Sequence, residues 1–105
     1  MKDKDHKICL EIKNLLNNEF DLIDIRLFGS RAREDGNEYS DLDIYIEVEK
    51  LNKKIKNKIR NIIWEIGLNY EEVISPLIFS RYDIEKSPLK SSSIVQNILL
   101  EGIAV

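Results

Sequence analysis

A small α/β (α+β) domain, a mixed sheet with helices packed on one face, is what this sequence predicts. Two segments, around 22–29 and 41–49, alternate apolar and polar residues as strands do, and two others, around 4–18 and 52–66, carry apolar residues at helical spacing. The two kinds interleave along the chain, which is the order of a layered sheet-and-helix domain and not of a bundle or a sandwich. At 105 residues the chain reads as one domain over 1–105, of a size that buries roughly 60 to 70 per cent of its unfolded surface.

Each element has its own warrant. Ile8, Ile12, Leu15, Leu16 and Phe20 form one apolar stripe on a helix from about Lys4 to Asn18. In "LIDIRLFG", Leu22, Asp24, Arg26 and Phe28 share one strand face and Ile23, Ile25 and Leu27 the other, with Gly29 closing the strand. Residues 30–40 turn polar, with a short helical turn at "SRAR". From Asp41 to Glu49 the alternation is complete: Leu42, Ile44, Ile46 and Val48 make the core face, while Asp41, Asp43, Tyr45, Glu47 and Glu49 face the other way. Ile55, Ile59, Ile62, Ile63 and Ile66 predict a helix over Asn52–Ile66 that Gly67 ends. Trp64 falls opposite that stripe, among Lys53, Asn57 and Arg60. "EVISPLIF" reads as a third strand whose Pro76 marks an edge or a bulge. Ser87 as cap and Pro88 as first residue open a last helix carrying Ile94, Val95, Ile98 and Leu99, which Gly102 stops.

Composition removes several classes of function. No apolar run approaches the length of a membrane span, and "MKDKDHKICLEIKNLL" has no cleavage-site pattern of a secretory signal, so a cytoplasmic protein is expected. Cys9 is the sole cysteine and His6 the sole histidine, which leaves neither an internal disulfide nor a zinc constellation. A formal charge of -3 argues against a general nucleic-acid binder. The cations are uneven, however: Lys50, Lys53, Lys54, Lys56, Lys58 and Arg60 crowd one segment, and with Trp64 among them that helix is a candidate partner surface.

The chemistry concentrates in "LFGSRAREDGNEYSDLDIYIEV". Asp41 and Asp43 lie two residues apart on one strand face, with Cα atoms roughly 6.5 to 7 Å apart. Two bare carboxylates there repel, and a hard divalent cation relieves the repulsion, because magnesium takes oxygen ligands and combines one or two carboxylates with substrate phosphates. Gly29 lets backbone approach an anion closely, Ser30 adds a hydroxyl, and Arg33 a positive charge. Either part alone is commonplace, since acids mostly face water. Strand, Gly-Ser, polar loop and Ser-Asp-x-Asp strand in that order are far more specific.

These residues resemble a known family. "GSRAREDGNEYSDLD" is similar to the Gly-Ser, ten residues, Asp-x-Asp signature of the polymerase-beta-like nucleotidyltransferases, in the "GSRAR" and "SDLD" form of the minimal nucleotidyltransferases, and the order of elements agrees over nearly the whole chain. The resemblance implies a mixed-sheet nucleotidyltransferase core in which Gly29, Ser30, Arg33 and Ser40 hold ATP and Asp41 and Asp43 bind magnesium, two ions with ATP present. It further implies an antitoxin that transfers AMP from ATP to a tyrosine of a partner HEPN toxin. The family usually supplies a third carboxylate from the next strand. Here Glu72, at the entrance of "YEEVISPLIFS", is the candidate, Glu71 the second, and Ser75 stands in the position if neither fills it. Glu34 also occupies a place where the family pattern more often has glycine.

Other residues have plainer expectations. Arg31 reads as an exposed loop charge, and Tyr45 as packing on the open sheet face or stacking on a base. Trp64, if not a partner contact, is covered by the last helix. Without a complete acid triad, a rival reading is a degenerate fold that neutralises a partner by binding alone. Transfer to a small molecule needs an acceptor pocket, for which a chain this short has little room unless a homodimer supplies one.

Overall fold

The computed structural model describes residues 1–35 and 39–105; Gly36, Asn37 and Glu38, part of the polar stretch expected between the first two strands, lie outside the described residues. The elements run α1 (Asp3–Glu19), β1 (Leu22–Phe28), α2 (Gly29–Arg33), β2 (Leu42–Val48), α3 (Lys53–Tyr70), β3 (Ile74–Ser80), α4 (Arg81–Glu85), a 3-10 turn (Pro88–Ser91), α5 (Ser93–Glu101) and β4 (Ile103–Ala104). The four strands form one mixed sheet in the order β3-β2-β1-β4: β1 is antiparallel to β2 and to β4, and β2 is parallel to β3. Among the described residues no helix is long and apolar enough to cross a membrane.

The two predicted apolar stripes meet the predicted strand face, except that Leu15, expected on the first, is exposed. Ile8, Cys9, Ile12 and Leu16 of α1 and Ile59, Ile63 and Ile66 of α3 bury against Ile25, Leu27, Leu42, Ile44, Ile46, Val48 and Ile78 of the sheet. Each fully buried aliphatic side chain contributes about 1.5–3 kcal/mol, so this one layer is the chief reason the sheet holds its helices. Pro76 sits on β3, at the sheet edge, where its missing N–H costs no ladder bond.

Local rules misplace several details. Leu22 joins the core and not the face of Asp24: a bulge at Ile23 sets Leu22 across from Val48 but Asp24 across from Glu47, and the extra residue turns Leu22 over. Gly67 does not end α3, which runs on to Tyr70. Its buried position is explained by a close approach, since a Cβ there would lie 2.7 Å from the backbone oxygen of Glu72. The helix stops at Glu71, which adopts a left-handed conformation and donates its N–H to Gly67 and Leu68 carbonyls.

Ser87 and Pro88 open only the 3-10 turn, and α5 begins with a separate cap, Ser92, whose hydroxyl accepts the Val95 N–H. Helix α4 is an unforeseen element, closed at its start by a capping box between Ser80 and Asp83. The short β4, also unforeseen, extends the sheet beyond β1. While α1 and α3 share the core face, α5 reaches the side on which Arg26 projects: the Arg26 guanidinium donates to the Leu99 carbonyl, and Gly102 packs on the Arg26 stem. Trp64 is not covered by α5; it is 66 % exposed, beside exposed Leu68 and Val73.

Candidate active site

Strand pairing builds the site. In the β1–β2 ladder Phe28 is the partner of Asp43, so the residue after Phe28 is delivered to the Asp43 side chain. That residue is Gly29, with φ +76, and a Cβ on it would collide with the Asp43 carboxylate oxygen Oδ2. Glycine is therefore required twice, for the backbone conformation and for the contact. Helix α2 starts at that point with no side chain capping its first amides, because its N-cap is Phe28.

Asp43 is half-buried and Asp41 exposed. Burial, and then the charge of Asp41, raise the Asp43 carboxyl above its ordinary range, and only the charge of Arg33 opposes this. Gly29, Asp41, Asp43 and Arg33 thus share one locality, with Ser30 next along α2. This donor set suits a hard cation: carboxylate oxygens whose mutual repulsion is incompletely offset by protein. Among the described residues no three acidic, histidine or cysteine side chains converge as a metal site, so phosphate and water oxygens would have to complete the coordination.

Glu72 is drawn elsewhere. Its carboxylate receives Arg31 Nη1 at 2.7 Å and Lys4 Nζ at 3.0 Å, and the Arg31 hydrogen bond holds its pKa below the usual carboxylate value. The parallel register of β2 and β3 instead sets Ser75 across from Asp43. Glu72, the expected third acid, is thus engaged as an ion-pair partner of Arg31 and Lys4, and Ser75 is the β3 residue across from Asp43. Glu71 is an exposed helix terminus.

Arg31 is not an exposed loop charge. Its side chain is 9 % exposed and ion-pairs with Asp5, itself 1 % exposed, and with Glu72, while Nη1 also donates to the Ser40 carbonyl at 3.1 Å. One guanidinium therefore ties α1, α2, the entrance of β3 and the segment just before Asp41 together, and these hydrogen bonds, that to Glu72 first, raise its pKa further. The Gly29–Ser30 half and the Asp41–Asp43 half are held in register through it. A sequence signal existed, because Asp5 falls on the same helical stripe as Ile8, Cys9, Ile12 and Leu16 and a buried acid needs a cation. Burial, reinforced by Asp5, pushes the Cys9 thiol up to about 12, which leaves it an inert core residue.

Tyr45 is fully buried with its hydroxyl donating to Glu47 Oε1 at 3.0 Å, and its ring lies 5.7 Å from that of Phe79. It is thereby packed on the sheet face opposite the isoleucine core, as one of its two expected roles had it, and its burial removes it from base stacking. Burial raises both the Tyr45 and the Glu47 pKa.

A four-stranded mixed sheet with a Gly-Ser turn set against an Asp-x-Asp strand defines a nucleotidyl-transferring class. The family model described as "Nucleotidyltransferase domain" matches residues 9–105, and the chain belongs to that family. A curated protein of Methanocaldococcus jannaschii, named "Putative protein adenylyltransferase MJ0141", is 38% identical over 72 residues, covering 68% of this chain and 71% of the relative. A crystal structure described as "a putative nucleotidyltransferase from Sulfolobus solfataricus" superposes with a TM-score of 0.55 at 18% identity, over 93% of this chain and 76% of the other, which shows a common fold. The chain is a nucleotidyltransferase enzyme.

Proposed function

We propose that the enzyme transfers AMP from ATP, with magnesium, to a hydroxyl on a partner protein, a tyrosine of a HEPN-type toxin, and so acts as the antitoxin of a toxin-antitoxin pair. The observation that carries this reading is the junction of Gly29 with Asp43, which joins a phosphate-holding turn to a paired-carboxylate strand. The name of the M. jannaschii relative supports protein as the acceptor class. Exposed Trp64, Leu68 and Val73, toward the C-terminal end of α3, offer a surface for such a partner.

In this reading Asp41 and Asp43 hold the magnesium, which when bound supplies charge neutralisation at the phosphate oxygens. Gly29, Ser30 and Arg33 position the triphosphate, with Ser40 in the segment just before the Asp-x-Asp strand. The acceptor oxygen attacks the α-phosphorus, the bond to the bridging oxygen breaks, and pyrophosphate leaves as the hydroxyl proton passes to base or solvent. Incubation with labelled ATP, magnesium and the partner is expected to label the partner. Persistence of that label in the Asp41→Asn, Asp43→Asn double variant would defeat the mechanism.

Ser75 across from Asp43 favours a second reading, a nucleotide-binding protein that neutralises its partner by contact with little transfer. In that case the double variant still neutralises the partner. If the missing acid limits the transfer chemistry, Ser75→Asp raises the labelling rate, whereas under binding alone it leaves neutralisation as it was.

A further inference from the structure

A cavity of about 370 Å³ lies between α2 and α5, next to the site. Its volume is in the range of small-molecule pockets. Ile94, Asn97 and Glu101, at i, i+3 and i+7 on α5, turn one helix face into it, and Phe28 adds an aromatic wall. Gly29 and Arg33 line it too, so it is continuous with the turn assigned to the triphosphate. Ile94 is 53 % exposed there, an aliphatic surface that a flat ring would cover. Asn97 offers a donor and an acceptor, and Glu101 an acceptor alone. Apolar walls with a polar fringe are the complement of a nucleobase, which has two apolar faces and a hydrogen-bonding edge.

We propose that this cavity takes the nucleobase of the bound nucleotide, packed on Ile94 and Phe28, with Asn97 and Glu101 reading an edge that carries an exocyclic amino group. The inference rests on the nucleotide reading above and adds where the base goes and what selects it. The carboxylate of Glu101 also repels phosphate, which directs the triphosphate toward Arg33.

The test is calorimetric titration of the full chain, with magnesium, by tripolyphosphate, ATP and inosine triphosphate. The expected result is ATP binding at least about tenfold tighter than tripolyphosphate, and tighter than inosine triphosphate, which lacks the amino group. Ile94→Trp, which fills the cavity from an exposed position, is expected to bring the ATP to tripolyphosphate ratio close to one, and Glu101→Gln to erase the preference over inosine triphosphate. Unchanged ratios in both variants overturn the inference while leaving the phosphate site standing. Failure of the native chain to bind tripolyphosphate and ATP alike overturns the phosphate site and the inference with it. Thermal melts close to the native value are expected for both variants, because both side chains lie at the surface.

Discussion

Replacing Arg31 with methionine tests how the two halves of the site are held. Methionine keeps much of the aliphatic volume but removes every donor, leaving the Asp5 carboxylate, 1 % exposed, without its cation. Breaking a buried ion pair from one side costs about 3–5 kcal/mol, because the surviving charge stays desolvated. Glu72 retains Lys4 at 3.0 Å, so the loss centres on Asp5 and on the Ser40 carbonyl. Against a total stability of about 5–15 kcal/mol for a domain of this kind, that is a large fraction, and it lowers Tm by at least about 12 °C. Urea denaturation followed by far-ultraviolet circular dichroism measures it; Trp64, two-thirds exposed, is a poor reporter.

The acid limb supplies a second signature of the same network. Glu72 has a folded-state pKa below its unfolded value near 4.5, so its stabilisation is fully present above that pH and is lost as pH falls through the lowered folded value. The native chain should therefore shed this part of its stability below about pH 4.5, and Arg31→Met should lack that part of the slope. Asp5→Asn added to Arg31→Met should recover part of the loss, since the unpaired Asp5 charge is then gone. A loss under about 1 kcal/mol, the scale of a surface pair, would refute the argument that Arg31 is a structural tie.

Further outcomes follow from the same geometry. Gly29→Ala should cost at least about 1–2 kcal/mol from its positive φ alone and should weaken magnesium-ATP binding, because the new Cβ meets the Asp43 carboxylate; calorimetry and a urea melt read both. Glu71→Gly should stabilise the fold by about 0.5–1 kcal/mol, because the left-handed conformation costs a side-chain-bearing residue about 1–2 kcal/mol while glycine's extra chain entropy takes back about 0.5–1 kcal/mol; equal midpoints in urea would count against this. Glu47→Gln keeps an acceptor for the Tyr45 hydroxyl and removes a buried charge whose folded pKa is raised above the unfolded 4.5. That charge opposes folding at neutral pH and ceases to do so as pH falls toward 4.5, so the variant should equal or exceed the native stability at pH 7 and lose any advantage in acid.

Much of the fold was legible because its signals are local. The alternation of Leu42, Ile44, Ile46 and Val48, and the isoleucines of α3, name the buried faces before any partner is known. The same alternation set Asp41 and Asp43 on one side. Where a residue's role depended on something distant, the local signal misled. Gly67 carries the mark of a helix end, but its need for no side chain comes from the Glu72 carbonyl returning past it. Glu72 looked like the nearest free acid to the third strand, but Arg31, 41 residues earlier, had first claim on it.

What the sequence by itself determined was the class of the protein and the inventory of its candidate site: strands with one apolar face, two striped helices, and Gly29, Ser30, Asp41 and Asp43 in a motif whose order points to its chemistry. Periodicity and short motifs are properties of neighbouring residues, so they need no fold to be read. The tertiary structure alone decided which acid stands where. The β2–β3 register puts Ser75 and not a carboxylate across from Asp43, and a buried guanidinium fastens the two halves together. Strand register and ion pairing join residues far apart in the chain, and only the folded backbone brings those partners within reach.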